Sequence, residues 1–160
     1  MPTEPARLDI LNALTRKVLW LSSWTIHHAN HVRPNVDGLK VGGHQASSAS
    51  LATIMSALYF SVLRPQDRVA VKPHASPVFH AIQYLFGHQT REKLENFRGF
   101  KGAQSYPSRT KDVDDVDFST GSVGMACSQP QGFWLDCPRC YRDPLSRKSQ
   151  ILATYPDILG

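Results

Sequence analysis

Between Leu51 and Gly87 the sequence changes its period twice, and that change limits the possible folds more than any other feature of the chain. Leu51, Ile54, Met55, Leu58, Tyr59 and Val62 recur at helical spacing after Ser47 or Ser48, either of which can cap the segment, and Pro65 ends it. Arg68-Val-Ala-Val-Lys72 is short, alternating and β-branched at 69 and 71, which predicts a strand stopping at Pro73. Ser76-Pro77 then reads as a cap followed by proline at the first helical position. Phe79, Ile82 and Phe86 lie on the buried side of that helix and Gly87 is its stop. Helix, strand and helix in alternation predict an α/β class.

The flanking segments extend this pattern. Pro5 suits a first helical turn, and Leu8, Leu11, Leu14, Val18 and Leu21 mark one stripe of a helix running to about Asn30. Residues 31–47 break the period with Pro34, Asn35, Gly38, Gly42 and Gly43, a loop able to turn tightly and to bring backbone close to a ligand. Thr90 opens a further short helix to about Phe97. Beyond it Gly99, Gly102, Pro107 and the acidic run Asp112 to Asp117 predict a long surface excursion.

At 160 residues and 41% hydrophobic, the chain has the length of one domain and enough apolar residues for a core. Its net charge of +5 is not gathered into a basic stripe, so nothing demands a nucleic-acid partner, and an anionic small ligand suits the balance equally well. No apolar run reaches the length of a membrane span and the first residues lack a signal-peptide pattern, so a cytoplasmic protein is expected. All three cysteines, Cys127, Cys137 and Cys140, fall in a nearly neutral, proline-rich segment with no sustained period, expected to be an irregular tail. Cys137-Pro-Arg-Cys140 has the spacing of half a zinc site, but no His or Cys follows it, and a closed site wants four ligands.

Two of the seven histidines adjoin backbone built to turn: His44 in Gly-Gly-His-Gln-Ala-Ser, and His74 in Lys-Pro-His-Ala-Ser. A neutral imidazole can pass protons near pH 7, and ligands of open α/β sheets bind outside the carboxyl ends of strands, where His74 would lie. Read alone, either ring is more readily a loop histidine bonded to backbone. His27 and His31 have the i, i+4 spacing of a metal pair, without the glutamate of His-Glu-x-x-His. Gly121-Ser-Val-Gly124 could offer backbone N–H groups to a phosphate, but it is not a nucleotide phosphate loop.

Taken in order, Gly42-Gly-His-Gln-Ala-Ser47, Arg68-Val-Ala-Val-Lys-Pro-His74, Glu92-Lys-Leu-Glu-Asn-Phe-Arg98, Ser105-Tyr-Pro107 and Ser119-Thr-Gly-Ser-Val-Gly124 resemble the start of a transketolase-type thiamine diphosphate enzyme. Ser-Tyr-Pro and Glu-Asn-Phe-Arg are most similar to the homodimeric thiamine-dependent first component of pyruvate dehydrogenase.

The resemblance implies an incomplete thiamine-diphosphate-binding fold with a parallel sheet and flanking helices. Residues 1–124 would form a partial diphosphate-binding domain, and 125–160 a tail unrelated to the family, as a frameshifted or misjoined reading would produce. It implies that His44 and His74 face the substrate beside the thiazolium, with Tyr106 near the cofactor and Ser47 touching substrate or cofactor. Lys72 stands where relatives carry Gln or Asn, and Pro73 replaces a Gly. Gly121, Ser122 and Val123 match the turn that approaches the diphosphate and aminopyrimidine. Thiamine diphosphate and Mg²⁺, a 2-oxo acid or ketose phosphate substrate and a homodimer are the family's expectation, with no nucleic acid or membrane partner. The Gly-Asp-Gly that holds Mg²⁺ in the family is absent from this chain, and so is the pyrimidine-binding domain, so the chain by itself is expected to be inactive. The alternative is a non-catalytic interaction protein that docks through exposed apolar helix faces and holds metal in its Cys-containing tail.

Overall fold

The structure, a computed structural model, describes residues 4–34 and 38–119. Gly121, Ser122, Val123, the three cysteines and the tail 125–160 lie outside the described residues. Four α-helices follow one another: α1 (Glu4–His27), α2 (Gln45–Ala57), α3 (Ser76–Leu85) and α4 (Arg91–Glu95). π-helical turns continue α1 over His28–Val32 and α2 over Leu58–Val62, and a 3₁₀ turn, Pro73–Ala75, leads into α3.

α3 is the centre of the body. Nine of its ten residues are buried, Val78, Ala81 and Ile82 completely, so it is covered on every side as an all-round apolar helix must be. α1 contributes Leu14 and Val18 to this core, α2 contributes Ala52 and Met55, and Val71 and Val116 close it from the connecting segments. The stripe of α1 thus begins to bury at Leu14, while Leu8 is exposed. On α2 the buried face is Ser48, Ala52, Met55 and Ser56, and Ile54 and Val62 point outward. Small side chains at i, i+4 and i+8 allow α2 a closer approach to the body than the larger residues on its other face would. Trp20 and Trp24, one turn apart on the outer face of α1, stack with ring centroids 6.1 Å apart and planes 7° from parallel.

The described residues contain no strand, and this overturns the α/β class and the parallel sheet expected from the sequence. Arg68–Lys72 is extended, but no second extended segment pairs with it. Its polar groups find a side chain instead: the Val69 N–H donates to Asp117 Oδ2 at 2.9 Å, and the Arg68 guanidinium faces Asp117 Oδ1 at 3.7 Å. A strand lacking a neighbour has no ladder, so period and β-branching at 69 and 71 specify only an extended connection that buries Val71. The sequence alternation therefore yields a helical body.

The acidic run is likewise not a surface excursion throughout. Asp114 and Val116 are buried, as are Gly102, Ala103 and Pro107 before them. Among the described residues no helix is long and apolar enough to cross a membrane.

Candidate functional site

Helix α1 ends where Asn30 grips the glycine loop. Its Oδ1 accepts from the Gly42 N–H at 2.6 Å, and its Nδ2 donates to the Gly43 carbonyl at 3.2 Å. The loop lies against the helix so closely that a Cβ at Gly42 would stand 2.5 Å from the Ile26 carbonyl oxygen. Glycine is required there for contact, and the contact fixes where the next residue, His44, begins α2. His74 is fixed from another direction. It sits in the 3₁₀ turn directly before α3, whose first turn carries Pro77.

These segments border an open cavity of about 410 Å³, lined among others by His44, Ser47, His74 and Tyr106. Four residues implicated by the sequence, separated by up to 62 positions, thus share one wall. Lys72 is not part of that wall. It precedes the 3₁₀ turn, half-buried. The volume lies in the range of small-molecule sites, roughly 300 to 1,000 Å³.

Three polar side chains of the cavity wall were not singled out by sequence as site residues: Asn30, Lys40 and Arg98. Asn30 carried no signal apart from its place at the predicted helix end. Arg98 closes the Glu-Asn-Phe-Arg element, and its cation stands between Phe97 and a glycine.

The backbone on either side of Tyr106 is held by one carboxylate. Asp112 accepts from the Gln104 N–H at 3.0 Å and from the Ser108 N–H at 2.8 Å. The Gln104 carbonyl accepts from His80 Nε2 at 2.7 Å, and His80 Nδ1 bonds Asp114. Gln89 donates to the other Asp114 oxygen. The His80 and Asp114 side chains are both fully buried. Burial opposes charge on the His80 ring, but the hydrogen bond and charge of Asp114 outweigh it, aided by the Gln104 carbonyl, and raise its pKa above the ordinary value. Burial also pushes the Asp114 carboxyl up against the pull of the ring, so the two groups hold a proton between them. This pair joins α3 to the segment that carries Tyr106. Sequence reading passed over His80. Its position beside Phe79 on a buried helix, with one acidic run to answer it, was the available signal.

The family resemblance brings with it Mg²⁺ and a diphosphate. A hard dication takes about six oxygen ligands. Among the described residues no three His, Cys, Asp or Glu side chains gather where they could hold a metal, and the cavity wall carries no carboxylate. The described residues therefore do not fit the metal.

Comparison with known proteins supplies the family. The Escherichia coli (strain K12) pyruvate dehydrogenase E1 component is 29% identical over 133 residues, covering 78% of this chain. The Mycobacterium tuberculosis E1 component is 30% identical over 141 residues, again 78% of the chain. Over most of its length the chain belongs with the pyruvate dehydrogenase E1 component. A shorter match, 35% identity over 94 residues, joins it to the E1 component of Cupriavidus necator. The chain spans only 14% to 15% of the length of the first two E1 components. No family model matches the chain. No solved structure matches it either.

Proposed function

We propose that this chain is the histidine-bearing, substrate-facing part of a thiamine diphosphate enzyme acting on 2-oxo acids in the manner of pyruvate dehydrogenase, or moving two-carbon ketol units. We propose further that the 160-residue chain is inactive by itself. The observation that carries the reading is the meeting of His44 and His74 on one cavity together with Ser47 and Tyr106. In such an enzyme the cofactor supplies the electron sink, and the protein positions the substrate and handles protons. His44 and His74 are then the proton-handling groups at the substrate oxygen, Tyr106 lies on the facing segment, and Ser47 offers a hydroxyl at the start of α2. Gly121, Ser122 and Val123 belong to the diphosphate side of the same proposal, as do the homodimer and the cytoplasmic setting. The match with the E1 components covers 78% of the chain, and reading 125–160 as a segment foreign to the family is part of the same proposal.

Replacing the matched segment of the E. coli E1 component by residues 7–119 of this chain tests the reading. The chimera is expected to retain pyruvate decarboxylation, with His44→Ala or His74→Ala lowering kcat about 10²- to 10⁴-fold, as loss of a general acid or base does. A folded, active chimera indifferent to both substitutions overturns it. Calorimetric titration of the chain alone with thiamine diphosphate and Mg²⁺ is expected to show no micromolar binding, and such binding would refute the inactivity.

A further inference from the structure

The cavity wall holds two cations that no carboxylate among the described residues pairs with. Lys40 and Arg98 both line it, and no aspartate or glutamate does. The ion pairs among the described residues are Arg68 with Asp117, His80 with Asp114 and Arg91 with Glu95, and neither cavity cation takes part in one. Both residues are exposed, so their charged groups can meet an anion that enters the cavity.

Arg98 is also held in a conformation that side chains rarely adopt. Its φ is 61°, in the left-handed region, and its N–H is tied to the Ala103 carbonyl at 2.9 Å. Such backbone is strained for a residue with a Cβ and persists only where its surroundings hold it. The side chain is aimed as firmly. Nη1 donates to the Val41 carbonyl at 2.6 Å, and the guanidinium carbon stands 5.5 Å from the centroid of the Phe97 ring. Nη2 lies beside Gly43, where a Cβ would sit 3.4 Å away, so the glycine leaves space around the fork. The remaining guanidinium N–H donors have no acceptor among the described residues. Burial lowers the pKa of the group, against the pull of Tyr106 on the same cavity wall.

We propose that Arg98, with Lys40 beside it, is the anchor of an oxyanion subsite in this cavity that takes the carboxylate or phosphate group of a small substrate and fixes its orientation toward His44 and His74. The planar fork matches a carboxylate or phosphate through two parallel hydrogen bonds, and lysine adds a point charge. The inference rests on reading the cavity as a substrate channel, and it makes Arg98 a specificity-determining residue.

The test uses the full chain without cofactor. Sodium pyruvate, inorganic phosphate and uncharged methyl pyruvate are titrated while the His44 and His74 ring resonances are followed by NMR. Pyruvate or phosphate is expected to shift both rings with a saturable, millimolar Kd, and methyl pyruvate to leave them unmoved. The tighter of the two anions identifies whether a carboxylate or a phosphate is the natural group. Arg98→Gly, which relaxes the left-handed backbone while removing the fork, is expected to weaken anion binding about 10-fold or more, as loss of a hydrogen bond to a charged group does. Arg98→Gln provides a second variant, and Arg109→Gln, on an exposed residue outside the cavity, should change nothing. Binding that survives both Arg98 variants, or that methyl pyruvate reproduces, overturns the inference. Anion binding that depends on Arg98 alongside an inactive chimera leaves the subsite standing and removes the enzyme reading. An active chimera indifferent to Arg98 removes the subsite alone.

Discussion

Gly42→Ala asks whether His44 owes its position to the contact between its loop and helix α1. The added methyl would stand 2.5 Å from the Ile26 carbonyl oxygen, 2.9 Å from Asn30 Oδ1 and 3.0 Å from the Ala29 Cβ. Two of these three neighbours belong to the helix backbone or to a Cβ fixed on it, so the loop must give way rather than the helix. Forcing an extra carbon into a packed site costs about 1 to 3 kcal/mol. Moving the loop also stretches both Asn30 bonds, to the Gly42 N–H and the Gly43 carbonyl, at about 0.5 to 1.5 kcal/mol each. The expected loss is about 2 to 6 kcal/mol. It should appear as a lower urea midpoint with unchanged slope, accompanied by displacement of the His44 ring resonances. Asn30→Ala removes the bonds without the clash and should cost about 1 to 3 kcal/mol, less than additively when combined with Gly42→Ala, because both act on one contact. If Gly42→Ala unfolds within about 0.5 kcal/mol of the parent chain, the size of an ordinary surface substitution, the loop is not seated on α1 as described.

The buried pair gives two further expectations. Asp114→Ala strips the His80 ring of its carboxylate inside the core and should cost about 3 to 5 kcal/mol in urea unfolding, and a loss under 1 kcal/mol would contradict the burial of the pair. Because the folded pKa of His80 is raised, its contribution to stability is complete below about pH 6.5, the value of an unfolded histidine, and is lost as pH climbs through the folded value. Urea midpoints measured from pH 6 to pH 9 should therefore fall more for the parent chain than for His80→Gln, and the reverse order would refute the assignment.

Local signals were legible where chain chemistry acts on neighbouring residues. Thr90 caps α4 by accepting from the Lys93 N–H and Gly87 follows the end of α3 with φ 76°, whereas Ser76 is not the cap that the sequence suggested: it is the first residue of α3 itself, Ala75 stands at the N-cap, and the Ser76 hydroxyl is buried without a hydrogen-bond partner among the described residues. That Arg68–Lys72 forms no strand was not legible, because alternation specifies an extended backbone but not the presence of a partner, and Asp117 accepts from Val69 from 48 residues away. The buried face of α2 was misjudged for a related reason. Periodicity ranks residues by apolar character, whereas close helix approach favours Ser48, Ala52 and Ser56. At the site, glycine-flanked His44 and His74 stood out because turning backbone marks a loop with a purpose. His80 did not, since its one signal, a histidine beside Phe79 with an acidic run downstream, does not say which residues answer the ring. Its partners Asp114 and Gln104 lie 34 and 24 residues on, and only the fold brings them there.

The two indoles on the outer face of α1 give the molecule an optical consequence. Rings stacked one helical turn apart couple their excited states, and that coupling vanishes once the turn between Trp20 and Trp24 unwinds. Trp24 also has the His27 and His28 rings within 6 Å, so its emission is open to quenching by protonated imidazole. Circular dichroism in the near ultraviolet and intrinsic fluorescence together therefore report separately on the winding of this helix and on the charge at its end, the end from which Asn30 holds the cavity loop.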